Sequence, residues 1–124
     1  MKIIKTIVNH QDDRGAIIDL VENQNINAIT FISFTKGAVR ANHYHKKTTQ
    51  WNYITKGQIK LVTQFGDGPI NERILGKGEL AVTEPMEKHA LVGMEDSEML
   101  VFTEGPRGGK EYESDTFRLE IPLV

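Results

Sequence analysis

Short hydrophobic runs separated by polar or glycine-containing turns dominate this sequence. The runs are rich in Ile, Val, Phe, Tyr and Thr, and Gly, Asn, Asp and Lys interrupt them at regular intervals. This pattern is typical of β-strands, because β-branched and aromatic side chains favour the extended backbone. No segment keeps an apolar period of 3.6 residues for three helical turns. The pattern predicts strands at Lys2–Val8, Ala16–Val21, Ala28–Phe34, Arg40–His45, Trp51–Thr55, Gln58–Phe65, Glu72–Leu75, Glu79–Thr83, His89–Val92, Glu98–Phe102 and Thr116–Ile121.

Tight connections join the predicted strands. Lys56-Gly57 and Gly66-Asp67-Gly68 are typical hairpin turns, because glycine adopts positive φ values freely. Many short strands with tight turns predict a sandwich or a closed barrel, and Pro106–Glu113 is the one loop-rich segment near the end. The 124 residues fit one domain and contain no linker or internal repeat. We therefore predict a single all-β domain spanning residues 1–124.

The composition excludes several classes of partner and site. Fifteen Lys and Arg residues balance 17 Asp and Glu residues, for a formal net charge of −2, so a basic surface for nucleic acid is missing. No segment approaches the ~20 apolar residues of a membrane helix, and the apolar stretch at the N-terminus is too short for a signal peptide. We expect no nucleic-acid or membrane partner and a cytoplasmic location. Cysteine is absent, so a transition-metal site must use His, carboxylate or amide ligands.

Candidate ligands for a metal lie in and beyond the segment GAVRANHYHKKTTQWNYITKG. His43 and His45 are two residues apart, so on a strand both imidazoles point to one face, as a divalent metal needs. Gln50 lies next to the following predicted strand and can add an amide oxygen, and His89 on a distant strand can complete the set. A His-x-His pair alone is weak, because paired surface histidines are common and a single core histidine is more often only hydrogen-bonded. The surrounding spacing decides between these interpretations.

That spacing resembles the motifs of the cupin superfamily. Five residues separate Gly37 from His43-Tyr44-His45, four more precede Gln50, and six more precede Gly57, as in the first cupin motif with Gln in the usual Glu position. Ten residues separate Gly78 from His89, as in the second motif. The resemblance covers nearly the whole chain and implies a double-stranded β-helix, or jelly-roll barrel. It also implies a divalent metal ion (Zn, Mn, Fe or Ni) held by His43, His45, Gln50 and His89, although some cupins with this Gln use the histidines without a metal.

Shorter segments are similar to sugar-nucleotide cupins. Asp12-Asp13-Arg14-Gly15 resembles the D-x-R-G opening of the deoxysugar 3,5-epimerases and 3,4-ketoisomerases, and His43–Lys46 resembles the H-A-H-K segment of the ketoisomerases. Asn42–His45 and Asp115–Glu120 resemble segments of capsular-polysaccharide epimerase cupin domains. The resemblance implies that Arg14 contacts the phosphates of a nucleotide and that His43 is the catalytic base.

The predicted function is therefore isomerisation or epimerisation of a nucleotide-linked keto-sugar in polysaccharide biosynthesis. The reaction removes a proton α to a ketone, which needs a base near neutral pKa and a group that holds the enediolate oxygen. His43 with an ordinary pKa of ~6.5 suits the first task, and a metal, Lys46 or Arg40 suits the second. Because His43 cannot be a tight metal ligand and a free base at once, the two schemes compete. The candidate substrate-binding residues are Arg14, Arg40, Asn42, Lys46 and Asn52.

Strand parity adds two expectations. Arg40 lies on the face opposite His43 unless the chain bulges between them. The related enzymes have an R-G-x-H segment, and in this chain Ala41 stands in place of its Gly. Trp51 and Tyr53 face outward and need cover, either from a partner subunit or from the N-terminal strand of the same chain. We predict a homodimer, and cover by the N-terminal strand of the same chain stays an alternative.

Two other functions stay compatible with the sequence. Three histidines and a glutamine also permit a metal-dependent oxygenase or lyase that acts on another small molecule. The missing Glu ligand and the missing glycine at position 41 also permit a sugar-binding module without catalysis.

Overall fold

The chain folds almost entirely into antiparallel strands. The computed structural model describes residues 1–107 and 110–124, and the all-β prediction is confirmed in them. The elements in chain order are β1 (Lys2–Ile4), β2 (Ile7–Asp12), β3 (Gly15–Asp19), β4 (Ala28–Phe34), β5 (Val39–Tyr44), β6 (Thr49–Lys56), β7 (Gln58–Phe65), β8 (Asn71–Gly76), β9 (Leu80–Thr83), β10 (Glu87–Gly93), β11 (Ser97–Glu104), α1 (Lys110–Ser114) and β12 (Phe117–Arg118).

Two sheets enclose the hydrophobic core. One has the strand order β1-β9-β6-β11-β4 and the other has the order β12-β5-β10-β7-β8, while β2 and β3 form a separate hairpin. Side chains from both sheets meet in one cluster, and these are Phe34, Ile54, Ile59, Leu61, Leu75, Ala81, Leu91, Met99 and Val101. Two sheets packed over a shared core are the jelly-roll arrangement. Among the described residues, no helix combines the length and the apolar character that crossing a bilayer requires.

The two ends of the chain differ from the sequence prediction. The strand predicted at Lys2–Val8 is two strands, because β1 pairs with β9 whereas β2 leaves that sheet to pair with β3. The strand predicted at Thr116–Ile121 is shortened to β12, which pairs with β5. Part of the predicted loop Pro106–Glu113 belongs to α1, and residues 108 and 109 of that loop lie outside the described residues. These differences depend on pairing with distant strands, which the local pattern does not contain.

The outer face of β6 is covered by the same chain. Trp51 is only 7 % exposed and packs with Leu80 and Val82 of β9. Ile4, Val21 and Ile26 pack against this cluster from the N-terminal part of the chain. Of the two predicted forms of cover for Trp51, the structure therefore shows the intramolecular one, and the homodimer stays a prediction.

A bulge in β5 changes which side chains share its inner face. His43 pairs with His89 of β10, but the next pair is Ala41 with Ala90, so one extra residue is inserted in β5. Ala41 and Asn42 adopt the left-handed backbone conformation with φ values of 70° and 57°. The insertion reverses the side-chain alternation, so Arg40 lines the same cavity as His43.

We predict that Ala41→Gly stabilises the protein. Alanine in the left-handed region is strained by its Cβ, whereas glycine is not, so the free energy of unfolding should rise by roughly 1 kcal/mol in denaturant titrations. Ala16→Gly on the exposed strand β3 is the matched control and should lower stability instead, because its backbone is extended. Equal destabilisation by both substitutions would contradict the strain argument.

Candidate active site

A cavity of about 410 Å³ lies inside the barrel and opens beside β4. Its volume is within the range of small-molecule binding sites. Strands β4, β5, β6 and β10 contribute its polar lining, which comprises Ser33, Arg40, His43, Gln50, Asn52 and His89. Leu91 and Val101 supply apolar surface at its inner side.

Three histidines cluster at this cavity, and two of them, His43 and His89, line it. His43, His45 and His89 are each at most 7 % exposed, and one nitrogen of each lies within 4.8 Å of the other two. The ring centroids of His43 and His45 are 4.7 Å apart, as are those of His43 and His89. The antiparallel pairing of β5 with β10 places His43 opposite His89, so residues 46 positions apart in the chain meet. Gln50 lines the same cavity.

Main-chain carbonyl groups fix two of the imidazoles in one tautomer. Nδ1 of His45 donates to the carbonyl oxygen of Asp115 at 2.7 Å, and Nδ1 of His89 donates to that of Glu87 at 3.0 Å. Because a carbonyl only accepts, each Nδ1 carries the proton and each Nε2 keeps its lone pair. Nε2 of His45 is buried and has no hydrogen-bond partner among the described residues. A buried acceptor without a partner is rare, and this one fits a metal ion or a proton donor on a ligand.

Burial keeps His43 and His89 neutral. Burial lowers the pKa of His43 to about 3, and His89, His45 and the guanidinium groups of Arg118 and Arg107 add to this effect. Burial likewise lowers the pKa of His89 to about 4, although its bond to the Glu87 carbonyl acts in the opposite direction. Neutral imidazoles are the form that binds metal ions. The expectation of an ordinary pKa for His43 is wrong, because burial and the neighbouring cations disfavour its charged form.

Asp115 holds the site together from behind. Its buried carboxylate accepts hydrogen bonds from the Thr48 hydroxyl at 2.7 Å and from the main-chain N–H groups of Lys46 and Lys47 at 3.0 and 3.1 Å. Burial raises the pKa of Asp115, but these hydrogen bonds outweigh it and the net pKa is lowered. The same residue offers its carbonyl to His45, so it connects the turn after β5 to the ring orientation. In the sequence, Asp115 was marked only as the first residue of the segment Asp115–Glu120, which resembles capsular-polysaccharide epimerase cupin domains.

Two of the five candidate substrate-binding residues line the cavity. Arg40 does so while its Nη2 donates to the Ser33 carbonyl at 3.0 Å. Asn52 does so while its amide nitrogen donates to the Ala81 carbonyl at 3.1 Å. Arg40 reaches the cavity from β5 in one sheet and Asn52 from β6 in the other, and for Arg40 the β5 bulge is the cause.

The other three candidates lie elsewhere. The Asn42 side chain accepts from the main-chain N–H of Leu123 at 2.8 Å, and the Lys46 ammonium group lies 4.4 Å from the centre of the Phe117 ring. Arg14 lies at the tip of the β2–β3 hairpin, 83 % exposed, and pairs with Asp12 at 2.6 Å. Substrate contacts by these three residues have no support from the cavity geometry of this chain.

Arg107 and Tyr112 are cavity residues that the sequence did not indicate. The Arg107 guanidinium carbon lies 4.2 Å from the centre of the Tyr112 ring, and its Nε donates to the Thr30 hydroxyl at 3.2 Å. The Tyr112 ring centre lies 6.5 Å from that of His43. They belong to the segment that looked like a plain loop, where no spacing pattern marks individual residues.

The family of the chain follows from a sequence comparison. A family model described as the polysaccharide biosynthesis C-terminal domain matches residues 10–117. The chain belongs to this family. No matching sequence was found among curated proteins.

Solved structures share the fold of this polysaccharide-biosynthesis domain. A 3,4-ketoisomerase from Helicobacter canadensis is 21% identical with a TM-score of 0.78, and the match covers 95% of this chain and 90% of that one. A dTDP-4-dehydrorhamnose 3,5-epimerase from Sulfolobus tokodaii is 18% identical with a TM-score of 0.71, covering 86% and 70%. The capsular polysaccharide assembling protein CapF from Staphylococcus aureus is 18% identical with a TM-score of 0.64, covering 95% of this chain but 33% of that one. These likenesses confirm the jelly-roll fold, which this chain shares with proteins named as a ketoisomerase and an epimerase.

The stability of the metal-free domain should fall as the pH falls. An unfolded histidine binds a proton below about pH 6.5, whereas folded His43 and His89 do so only near pH 3 and 4. The unfolded state therefore binds more protons in this window, and the free energy of unfolding should drop by roughly 1 kcal/mol per pH unit for each histidine. Urea titrations between pH 7 and 5, in the presence of a chelator, measure this slope. A flat profile, or an unchanged slope in His43→Asn with His89→Asn, would contradict it.

Asp115→Ala should loosen His45 as well as destabilise the fold. The substitution leaves the buried Thr48 hydroxyl and the half-buried N–H groups of Lys46 and Lys47 without an acceptor, which should lower stability by roughly 1–3 kcal/mol. The His45 ring should then lose its single Nδ1–H tautomer, which ¹⁵N NMR of the imidazole detects. Asp67→Asn in an exposed turn is the control and should change neither quantity. A retained His45 tautomer in folded Asp115→Ala would show that the carboxylate does not position the ring.

Proposed function

We propose that this domain isomerises or epimerises a nucleotide-linked keto-sugar in polysaccharide biosynthesis. The observation that carries the proposal is the cavity in which neutral His43 faces a lining with cationic Arg40 and, among the described lining residues, no carboxylate. Such a cavity favours an anionic ligand and the transfer of a proton. The names of the family and of two similar structures, a ketoisomerase and an epimerase of a dTDP-sugar, support the same chemistry.

The proposed reaction is a proton transfer through an enediolate. His43 takes the proton from the carbon next to the ketone, the C–H electron pair forms a carbon–carbon double bond, and the carbonyl oxygen becomes negative. Return of the proton to the other face of the same carbon gives an epimer. Its delivery to the former carbonyl carbon, with transfer of the adjacent hydroxyl proton to the enediolate oxygen, gives the isomeric ketone. The negative charge of a bound substrate opposes the guanidinium groups that lower the pKa of His43, so it makes His43 a better base. Arg40, which is exposed and lines the cavity, would contact the phosphates of the nucleotide.

A divalent metal ion (Zn, Mn, Fe or Ni) fits the same residues. His43, His45 and His89 would hold it through neutral imidazoles, and the unpartnered Nε2 of His45 is the specific feature that favours this. Gln50 would add an amide oxygen, and because it replaces a carboxylate the ion would keep more positive charge. When bound, the ion would polarise the ketone as a Lewis acid. With pKa values of about 3 and 4, His43 and His89 would lose the metal to protons at lower pH than the ordinary histidine pKa of ~6.5 implies.

A homodimer is the proposed assembly. Ile7 and Ile17 are 73% and 59% exposed on the β2–β3 hairpin, which is a two-stranded unit. Isolated hairpins of this kind are marginally stable in water, so cover from a second copy supports the prediction. The cytoplasmic location and the single domain over residues 1–124 stay predictions.

Deuterium exchange tests the proposed reaction. Incubation with dTDP-4-keto-6-deoxyglucose in ²H₂O should introduce deuterium next to the ketone, as seen by NMR and mass spectrometry. His43→Ala should slow the exchange by roughly 10²- to 10⁴-fold, because the general base is lost. The exposed His10→Ala, on the hairpin, is the control. Absence of exchange with the wild-type domain across a panel of keto-sugar nucleotides would refute the function, and oxygen uptake with bound iron or manganese would indicate an oxygenase instead.

Elemental analysis with chelation separates the two schemes. In the metal scheme, His43→Ala and His89→Ala each lower the bound metal, and chelation abolishes the exchange. Exchange that survives complete chelation would show that His43 acts as a free base. Full metal content in both variants would refute the ligand assignment.

A further inference from the structure

Arg107 is the cavity residue whose chemistry the proposed reaction has not yet used. It is half-buried and lines the cavity, and its position is held by two contacts. Its Nε donates to the Thr30 hydroxyl on β4, and its flat face lies 4.2 Å above the Tyr112 ring centre. Among the described residues no carboxylate forms an ion pair with it. With Nε engaged by Thr30, the two terminal amino groups remain as donors of the guanidinium fork.

The position of Arg107 relative to His43 differs from that of the other candidate cations. Tyr112, against which Arg107 stacks, lies 6.5 Å from His43 and 6.1 Å from His45 between ring centres. Arg107 reaches the cavity stacked on Tyr112, whereas Arg40 reaches it from β5, where its Nη2 donates to the Ser33 carbonyl. Lys46 does not line the cavity, since its ammonium group packs on Phe117.

We propose that Arg107 is a catalytic residue that stabilises the negative oxygen of the enediolate, while Arg40 at the mouth binds the phosphates. The proposal rests on the proposed isomerase function. As His43 accepts the proton, the electron pair of the broken C–H bond moves onto the carbonyl oxygen. A fixed guanidinium group beside that oxygen stabilises the transition state more than the neutral ketone, because the charge exists only after the proton has begun to move.

The position of Arg107 explains an otherwise unfavourable feature of the site. A positive charge next to a base weakens that base, so the charge of Arg107 by itself disfavours proton transfer to His43. The same charge stabilises the enediolate that forms in that step, and the enediolate in turn stabilises the imidazolium. Before the proton moves, the charge of Arg107 makes His43 a weaker base. After the proton has moved, the same charge stabilises the enediolate.

Arg118 provides a matched control. Its charge also contributes to lowering the pKa of His43, but it lies exposed on β12 and does not line the cavity. Arg118 can therefore act on the site only through its charge, whereas Arg107 can also contact the substrate.

The test compares Arg107→Gln, Arg107→Lys, Arg40→Gln and Arg118→Gln in the exchange assay with dTDP-4-keto-6-deoxyglucose. Arg107→Gln should lower kcat by roughly 10²- to 10³-fold with KM and dTDP affinity changed little, as for other lost oxyanion donors. Arg107→Lys keeps the charge and should lie between. Arg40→Gln should raise KM and weaken dTDP binding roughly tenfold with kcat nearly retained. Arg118→Gln should change kcat by less than about threefold, since an exposed charge is screened.

Chemical rescue distinguishes catalysis from a structural role. Guanidinium ion at sub-denaturing concentration should restore part of kcat to Arg107→Ala, and thermal unfolding should show that this variant is folded. Wild-type kcat in Arg107→Gln, a loss confined to dTDP affinity, or an equal loss in Arg118→Gln would overturn the assignment while leaving the isomerase function intact. Absence of exchange in the wild-type domain would overturn both.

Discussion

Two hydrogen bonds from imidazole rings to main-chain carbonyl groups determine the chemistry of this domain. They fix the Nδ1–H tautomer of His45 and His89, and so they turn both Nε2 lone pairs away from the backbone and leave them available. Burial makes the charged forms of His43 and His89 unfavourable and keeps these two rings neutral. Holding a metal ion would depend on these lone pairs, whereas the proposed proton transfer depends on His43, which burial keeps neutral.

These hydrogen bonds depend on segments far from the histidines in the chain. The Asp115 carbonyl reaches His45 because the Asp115 carboxylate accepts three donors of residues 46–48. The bulge at Ala41 and Asn42 shifts β5 by one residue and brings Arg40 to the side of His43. Its backbone strain is offset by Asn42, whose side chain and carbonyl anchor Leu123 and Leu119. The last segment of the chain thus supports the site, although the histidines of the site come from the middle of the chain.

The strands and the metal-ligand candidates were predictable because their patterns are local. Alternating hydrophobic residues mark strands, and glycine spacing together with His43, His45, Gln50 and His89 marks the cupin motifs. Arg107 and Tyr112 were not predictable, because they are single residues in a segment without periodicity. Arg14, Asn42 and Lys46 entered through short resemblances, and the structure places their side chains against Asp12, Leu123 and Phe117.

The sequence by itself determined the all-β class, the residue types at the centre and the absence of thiolate chemistry, since these depend on composition and on neighbours along the chain. Only the tertiary structure decided which side chains share the cavity, because strand pairing, the β5 bulge and the packing of residues 105–107 and 112–119 join positions far apart in sequence. It also decided the protonation of His43, since a pKa depends on burial and on the charges around the group. The candidates His43, His45, Gln50, His89 and Arg40 were visible in the sequence, and the place of Arg107 in the cavity lining became visible only in the fold.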